Sequence, residues 1–95
     1  MVVAYCLIKS SPGKDFRIFA VTRRRKEVKE VAITYGAFDL IVKIEVKSPE
    51  ELNDFVFNVL RKIPEVQETV TLLTSKIATG VELGQKRTPS IKEVS

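Results

Sequence analysis

VKEVAITYGAFDLIVKIEVK, residues 28–47, is the stretch that decides the fold of this chain. Along 38–47, Phe38, Leu40, Val42, Ile44 and Val46 alternate with Asp39, Ile41, Lys43, Glu45 and Lys47. That is the period of a strand with one buried face. Ahead of it, Val31, Ile33 and Tyr35 alternate with Ala32 and Thr34 across 28–35, and Gly36-Ala37 turns the chain. The spacing predicts a β-hairpin. Asp39 is the residue the pattern does not absorb, because it sits just past the glycine on the face away from the apolar set. It is either turn chemistry or a charge placed for a ligand.

Working outward, Ser48-Pro49-Glu50-Glu51 reads as a capping box with Pro at the first helical position. Leu52, Phe55, Val56, Val59, Leu60 and Ile63 follow at helical spacing, Arg61-Lys62 suit the last turn, and Pro64 ends the helix. Residues 66–78 then read as a final strand. Upstream, VVAYCLIK (2–9) is a short apolar run expected to form a strand buried on both faces. Ser11-Pro12 is expected to open a first helix reaching about Arg25, with Phe16, Phe19 and Ala20 on its buried stripe. Each half thus reads strand, Ser-Pro helix, strand. Two such halves predict an α+β ferredoxin-like sandwich, β-α-β-β-α-β, with a four-stranded antiparallel sheet and both helices on one face. The other face should still carry Ile41, Leu73 and either Cys6 or Tyr5, an apolar surface that invites a partner. Residues 1–79 form the expected domain, and 80–95 lose periodicity and read as an arm or tail.

Composition narrows the function. Ninety-five residues suit one domain. Sixteen Lys/Arg against twelve Asp/Glu give a modest +4, with ten against five in residues 1–47. The only dense cationic run is Arg23-Arg24-Arg25-Lys26, which serves either as a phosphate patch or as cations favoured at a helix C-terminus. One cysteine and no histidine exclude an intrachain disulfide, a Cys/His zinc site and any imidazole-dependent triad. No metal or cofactor is expected. The N-terminal apolar run is too short for a membrane span, so a cytoplasmic protein without membrane contact is the expectation. Thr69, Thr71, Thr74 and Ser75 are strand-forming hydroxyl residues. Phe57, on the polar side of the second helix, is a scattered surface aromatic or an assembly contact.

Gly36-Ala37-Phe38-Asp39, then Ile63-Pro64-Glu65-Val66, then Thr69-Val70-Thr71 together resemble the effector domain of the Lrp/AsnC transcription regulators. The likeness covers about residues 2–78. It implies sheet-to-sheet dimers that assemble into rings, often octamers, with a small amino acid bound between dimers. By that resemblance Asp39 would hold the ligand's ammonium, backbone groups at Gly36, Ala37 and Phe38 would meet its carboxylate, and Leu72 and Thr74 would contribute from the last strand. A zwitterion needs such a fixed anion beside exposed N–H donors. The family's helix-turn-helix has no counterpart in these residues, so direct DNA binding is not expected, while a full-length regulator is a further expected partner. Two other classes compete with this non-enzymatic reading. A dimeric α+β-barrel enzyme would need a polar catalytic group on the helix-facing side, and an RNA-binding module would need aromatics on the open sheet face.

Overall fold

In a computed structural model that describes residues 1–78, the elements run β1 (Val2–Ser10), α1 (Asp15–Thr22), β2 (Val28–Ile33), β3 (Leu40–Val46), α2 (Pro49–Asn58), a 3-10 turn (Leu60–Lys62) and β4 (Val66–Leu73). The strands form one antiparallel sheet in the order β2-β3-β1-β4. This is the β-α-β-β-α-β sandwich that the two-halves reading predicts. The expected arm, 80–95, lies outside the described residues.

Register decides which side chains meet the helices. Val2, Ala4, Cys6 and Ile8 of β1 stand opposite Val46, Ile44, Val42 and Leu40 of β3. Opposed residues share a face, and this face packs on Ile18, Leu52, Phe55, Val56 and Leu60 to make the core. The alternation of β3 is therefore realised as expected, with Leu40, Val42, Ile44 and Val46 all buried. One alternative about the open face is decided and one expectation is corrected. Of Cys6 and Tyr5, Cys6 is wholly buried beneath the helices, so Tyr5 is the one that faces out. Leu73 stands opposite Ala4 and so points to the helix side; it is 58% exposed because β4 is an edge strand. The open face instead carries Val3, Tyr5 and Leu7 from β1, Ile41 from β3, and Val70 and Leu72 from β4.

Both helices are shorter than their sequence signals. Ser11 does not cap α1. Its N–H bonds to the Glu65 carbonyl (2.9 Å) and its carbonyl accepts from Lys14 N–H (3.0 Å). Pro12-Gly13 therefore becomes a turn, with Gly13 at φ +76°, and the helix starts at Asp15 without a side-chain cap. The expected buried stripe is also corrected: Phe16 is 68% exposed, and Ile18 and Thr22 are the buried pair. Thr22 is tolerated there because its hydroxyl donates to the Ile18 carbonyl at 2.8 Å. In α2 the cap forms as read. Ser48 Oγ accepts from Glu51 N–H (3.1 Å), and Glu51 Oε1 accepts from Lys47 N–H (3.0 Å). The helix yields to a 3-10 turn before Pro64, and that tighter turn carries Leu60 into the core. The outer strands also end early, β2 at Ile33 and β4 at Leu73.

Candidate functional site

The connection from β2 to β3 spans residues 34–39 and lies at the end of the sheet where β1 leaves it. Sequence dictates its form at three points. Gly36 sits at φ +138°, a conformation that L residues with a Cβ rarely hold. Thr34 closes the loop twice, its N–H donating to the Asp39 carbonyl and its hydroxyl to the Phe38 carbonyl, both at 2.8 Å. Asp39 then ties the loop to β1. Its N–H donates to the Ile8 carbonyl (2.9 Å), and its Oδ2 accepts from Ser10 N–H (2.8 Å).

That last contact takes over where the ladder stops. The last β1–β3 pair is Ile8 with Leu40, so the Ser10 N–H, which points to the same side as the Ile8 carbonyl, lies beyond it. Ser10 is buried, so its N–H needs an acceptor. Asp39 supplies it across a sequence separation of 29 residues. Oδ1 accepts nothing from the described residues, and the side chain is half-buried. Tyr35, beside the glycine, is fully exposed at the loop tip.

A Cβ built at Gly36 would meet nothing within 4 Å, so the glycine is demanded by its backbone angle and not by crowding. Gly36→Ala should therefore lower stability by about 1–3 kcal/mol through strain alone. A shifted urea midpoint measures this, and an unchanged midpoint would show that the loop relaxes freely.

The expected site residues do not all meet within one chain. Gly36, Ala37, Phe38 and Asp39 share the loop. Leu72 lies on the open face opposite Tyr5. Thr74 follows β4, and both its N–H (3.0 Å) and its hydroxyl (2.7 Å) donate to the Val3 carbonyl. Val3 and Lys9, the β1 positions beside Thr74 and Asp39, are separated by about 20 Å at the usual strand rise. Thr74 instead lines a shallow cavity of about 300 Å³ with Val2, Val3, Leu73, Ser75 and Lys76. Two groups escaped the sequence reading. Ser10 contributes a main-chain amide, which no side-chain pattern announces. Thr34 had a legible signal, a hydroxyl residue just ahead of a turn glycine.

Elsewhere the chemistry is sparse. Burial pushes the Cys6 thiol up from its ordinary value, against a smaller opposing effect of the Thr71 hydroxyl, so it is a poor nucleophile. Among the described residues, no group of three His, Cys, Asp or Glu converges on a metal position. No described helix is long and apolar enough to cross a membrane. Arg23, Arg24, Arg25 and Lys26 are exposed just past α1, and Arg25 pairs with Glu27 at 3.5 Å. Phe57 is exposed under the Arg61 guanidinium, 5.0 Å from its ring centre.

Residues 3–78 match the family model described as the Lrp/AsnC ligand binding domain. The HTH-type transcriptional regulator FL11 of Pyrococcus abyssi is 37% identical over 75 residues, which are 79% of this chain and 49% of the regulator. The chain thus spans about half the length of the curated regulators it matches. The crystal structure of FFRP-DM1 superposes with a TM-score of 0.77 at 36% identity, covering 79% of this chain and 100% of that one. A homocitrate synthase of Sulfurisphaera tokodaii is 43% identical over 60 residues, 60% of this chain and only 13% of the enzyme.

Proposed function

Since the chain belongs to the Lrp/AsnC ligand binding domain family, we propose that it is a non-enzymatic sensing module that binds a small amino acid at the 34–39 loop and assembles through its open sheet face. The observation that carries the ligand half is the loop itself. A positive-φ glycine leaves backbone beside an acid with one uncommitted oxygen. An α-ammonium and an α-carboxylate need that pairing of fixed anion and open N–H groups. Leu72 and Thr74 join such a site only from another chain, since Leu72 stands opposite Tyr5 in the middle of β1 and Thr74 beside Val3 at its far end. Gly36, Ala37, Phe38 and Asp39 of one chain facing Leu72 and Thr74 of a neighbour is the arrangement that reconciles all six residues.

The open face supports the assembly half. Val3, Tyr5, Leu7, Ile41, Val70 and Leu72 form a continuous apolar centre, flanked by charges of both signs: Lys9 opposite Glu68, Lys43 opposite Glu30, and Glu45 opposite Val3. An apolar centre rimmed by both signs of charge suits a second copy of itself. Dimers and rings of dimers follow, with a full-length regulator as a further partner. Among the described residues Tyr5 is the only aromatic on the open face of the four strands, too few for the stacking platform of an RNA-binding sheet. Among the described residues the fully buried helix-facing core is apolar except for Ser10 and Thr22, both hydrogen-bonded, and the part-buried acids Glu27 and Glu65 are paired with Arg25 and Arg17.

The homocitrate synthase match favours a second reading of the output. The similar segment makes up 13% of that enzyme, so we infer that the partner of this chain is either a regulator or an enzyme. Co-purification from the source cells separates the two, according to which class is retained.

A melting screen against each of the twenty L-amino acids tests the ligand reading. At a hundred times its Kd, a ligand selective for the folded state adds about 2.7 kcal/mol. That should raise the melting temperature by on the order of ten degrees in a domain this small. Twenty flat responses would end the amino-acid reading.

A further inference from the structure

We propose that the main-chain amide of Ser10 is the positioning group of the 34–39 loop: by holding Oδ2 of Asp39, it leaves Oδ1 as the one uncommitted oxygen offered to a ligand, and so favours an ammonium that donates to one oxygen. The inference rests on the reading of Asp39 as a ligand contact and adds what orients it. The Ser10 N–H lies just past the last β1–β3 pair, Ile8 with Leu40, belongs to a buried residue, and has the Asp39 carboxylate as its acceptor at 2.8 Å. Asp39 N–H and C=O are fixed as well, to Ile8 and to Thr34. With its backbone held at both groups and one carboxylate oxygen committed, the side chain has no second productive orientation. A guanidinium fork needs both oxygens of a carboxylate and is disfavoured. An ammonium, a point donor, needs one.

The consequence is chemical and specific. In Asp39→Asn the Ser10 N–H still demands an acceptor, and only the amide oxygen can serve. The carboxamide must therefore turn its NH2 outward, setting a donor against the donors of the ligand ammonium. In Asp39→Ala the Ser10 N–H has no partner. In Asp39→Glu the charge survives, but the extra methylene moves the carboxylate off the geometry that serves Ser10 and the ligand together.

Two measurements test this, both on the whole chain. The first is amide hydrogen exchange at Ser10 without ligand, which reports local opening. Asp39→Asn should exchange close to the wild-type rate. Asp39→Ala should exchange about tenfold faster or more, the factor expected for losing one hydrogen bond to a charged acceptor. Equal rates in wild type and Asp39→Ala overturn the proposal. The second is the melting shift with whichever of the twenty amino acids stabilises the wild type most. Asp39→Asn should lose that shift although Ser10 stays protected, and Asp39→Glu should lose most of it although the charge is kept. A full shift in Asp39→Glu shows that charge alone suffices and overturns the positioning role. If no amino acid shifts the wild type while Ser10 follows the Asn-versus-Ala pattern, the amino-acid reading fails, and the pair is a lock between the end of β1 and the 34–39 loop without a ligand role.

Discussion

Ile41→Glu is expected to break the proposed sheet-to-sheet assembly into monomers without unfolding the chain. Ile41 lies in the middle of the open face, with Leu7 directly opposite on one side and Ala32 on the other. When two sheets meet face to face, a Glu there loses its water and finds no cation in register. A buried charge without a partner costs about 3–5 kcal/mol, and a two-fold axis doubles the cost. The dissociation constant should rise by roughly four to seven orders of magnitude. In the monomer the same Glu faces solvent, so the far-ultraviolet circular dichroism should not change. Light scattering reads the result, with a mass near 10.7 kDa for the variant and a multiple of it for the wild type. If both scatter as monomers, or both as the same multimer, the open sheet is not the contact.

Leu60→Ala is the second large effect, and it acts on stability. Leu60 has no exposed surface and sits in the 3-10 turn that ends the α2 segment. Truncation removes buried methyl groups and leaves a cavity under a chain held by Pro64, which limits collapse. The expected loss is about 2–5 kcal/mol, read as a lower urea midpoint at fixed protein concentration, since assembly contributes to apparent stability. Phe57→Ala, three residues earlier but exposed, should stay within about 0.5 kcal/mol. A Leu60 loss below that of Phe57 would show that the turn repacks around the gap.

Legibility in the sequence followed the number of independent signals at each element. In β3 alternation alone is unambiguous, and α2 announces itself by cap, proline and periodicity together, so both were readable. The α1 signal was a single Ser-Pro pair, and the Glu65 carbonyl took the Ser11 N–H and turned the chain. With the start displaced, the stripe assignment moved too, leaving Phe16 outside and Ile18 inside. Faces were hidden wherever apolar residues run together. In Ala4-Tyr5-Cys6-Leu7 and in Leu72-Leu73, side-chain type does not distinguish in from out, and only pairing with β3 and β1 decides. For the candidate site, the Gly36–Asp39 motif stood out in the sequence. The partner that orients Asp39 did not, because it is a backbone group on another strand.

Thr74 and Asp39 stand about 20 Å apart along β1, and this separation has a thermodynamic corollary. A ligand touching both must bridge two chains, so its affinity and theirs for one another are the same quantity seen from two sides. Reciprocity then requires that whatever factor the ligand adds to association, association adds to ligand binding. Apparent affinity would depend on protein concentration, and dilution alone would release the ligand. The chain would then report abundance and assembly as a single variable.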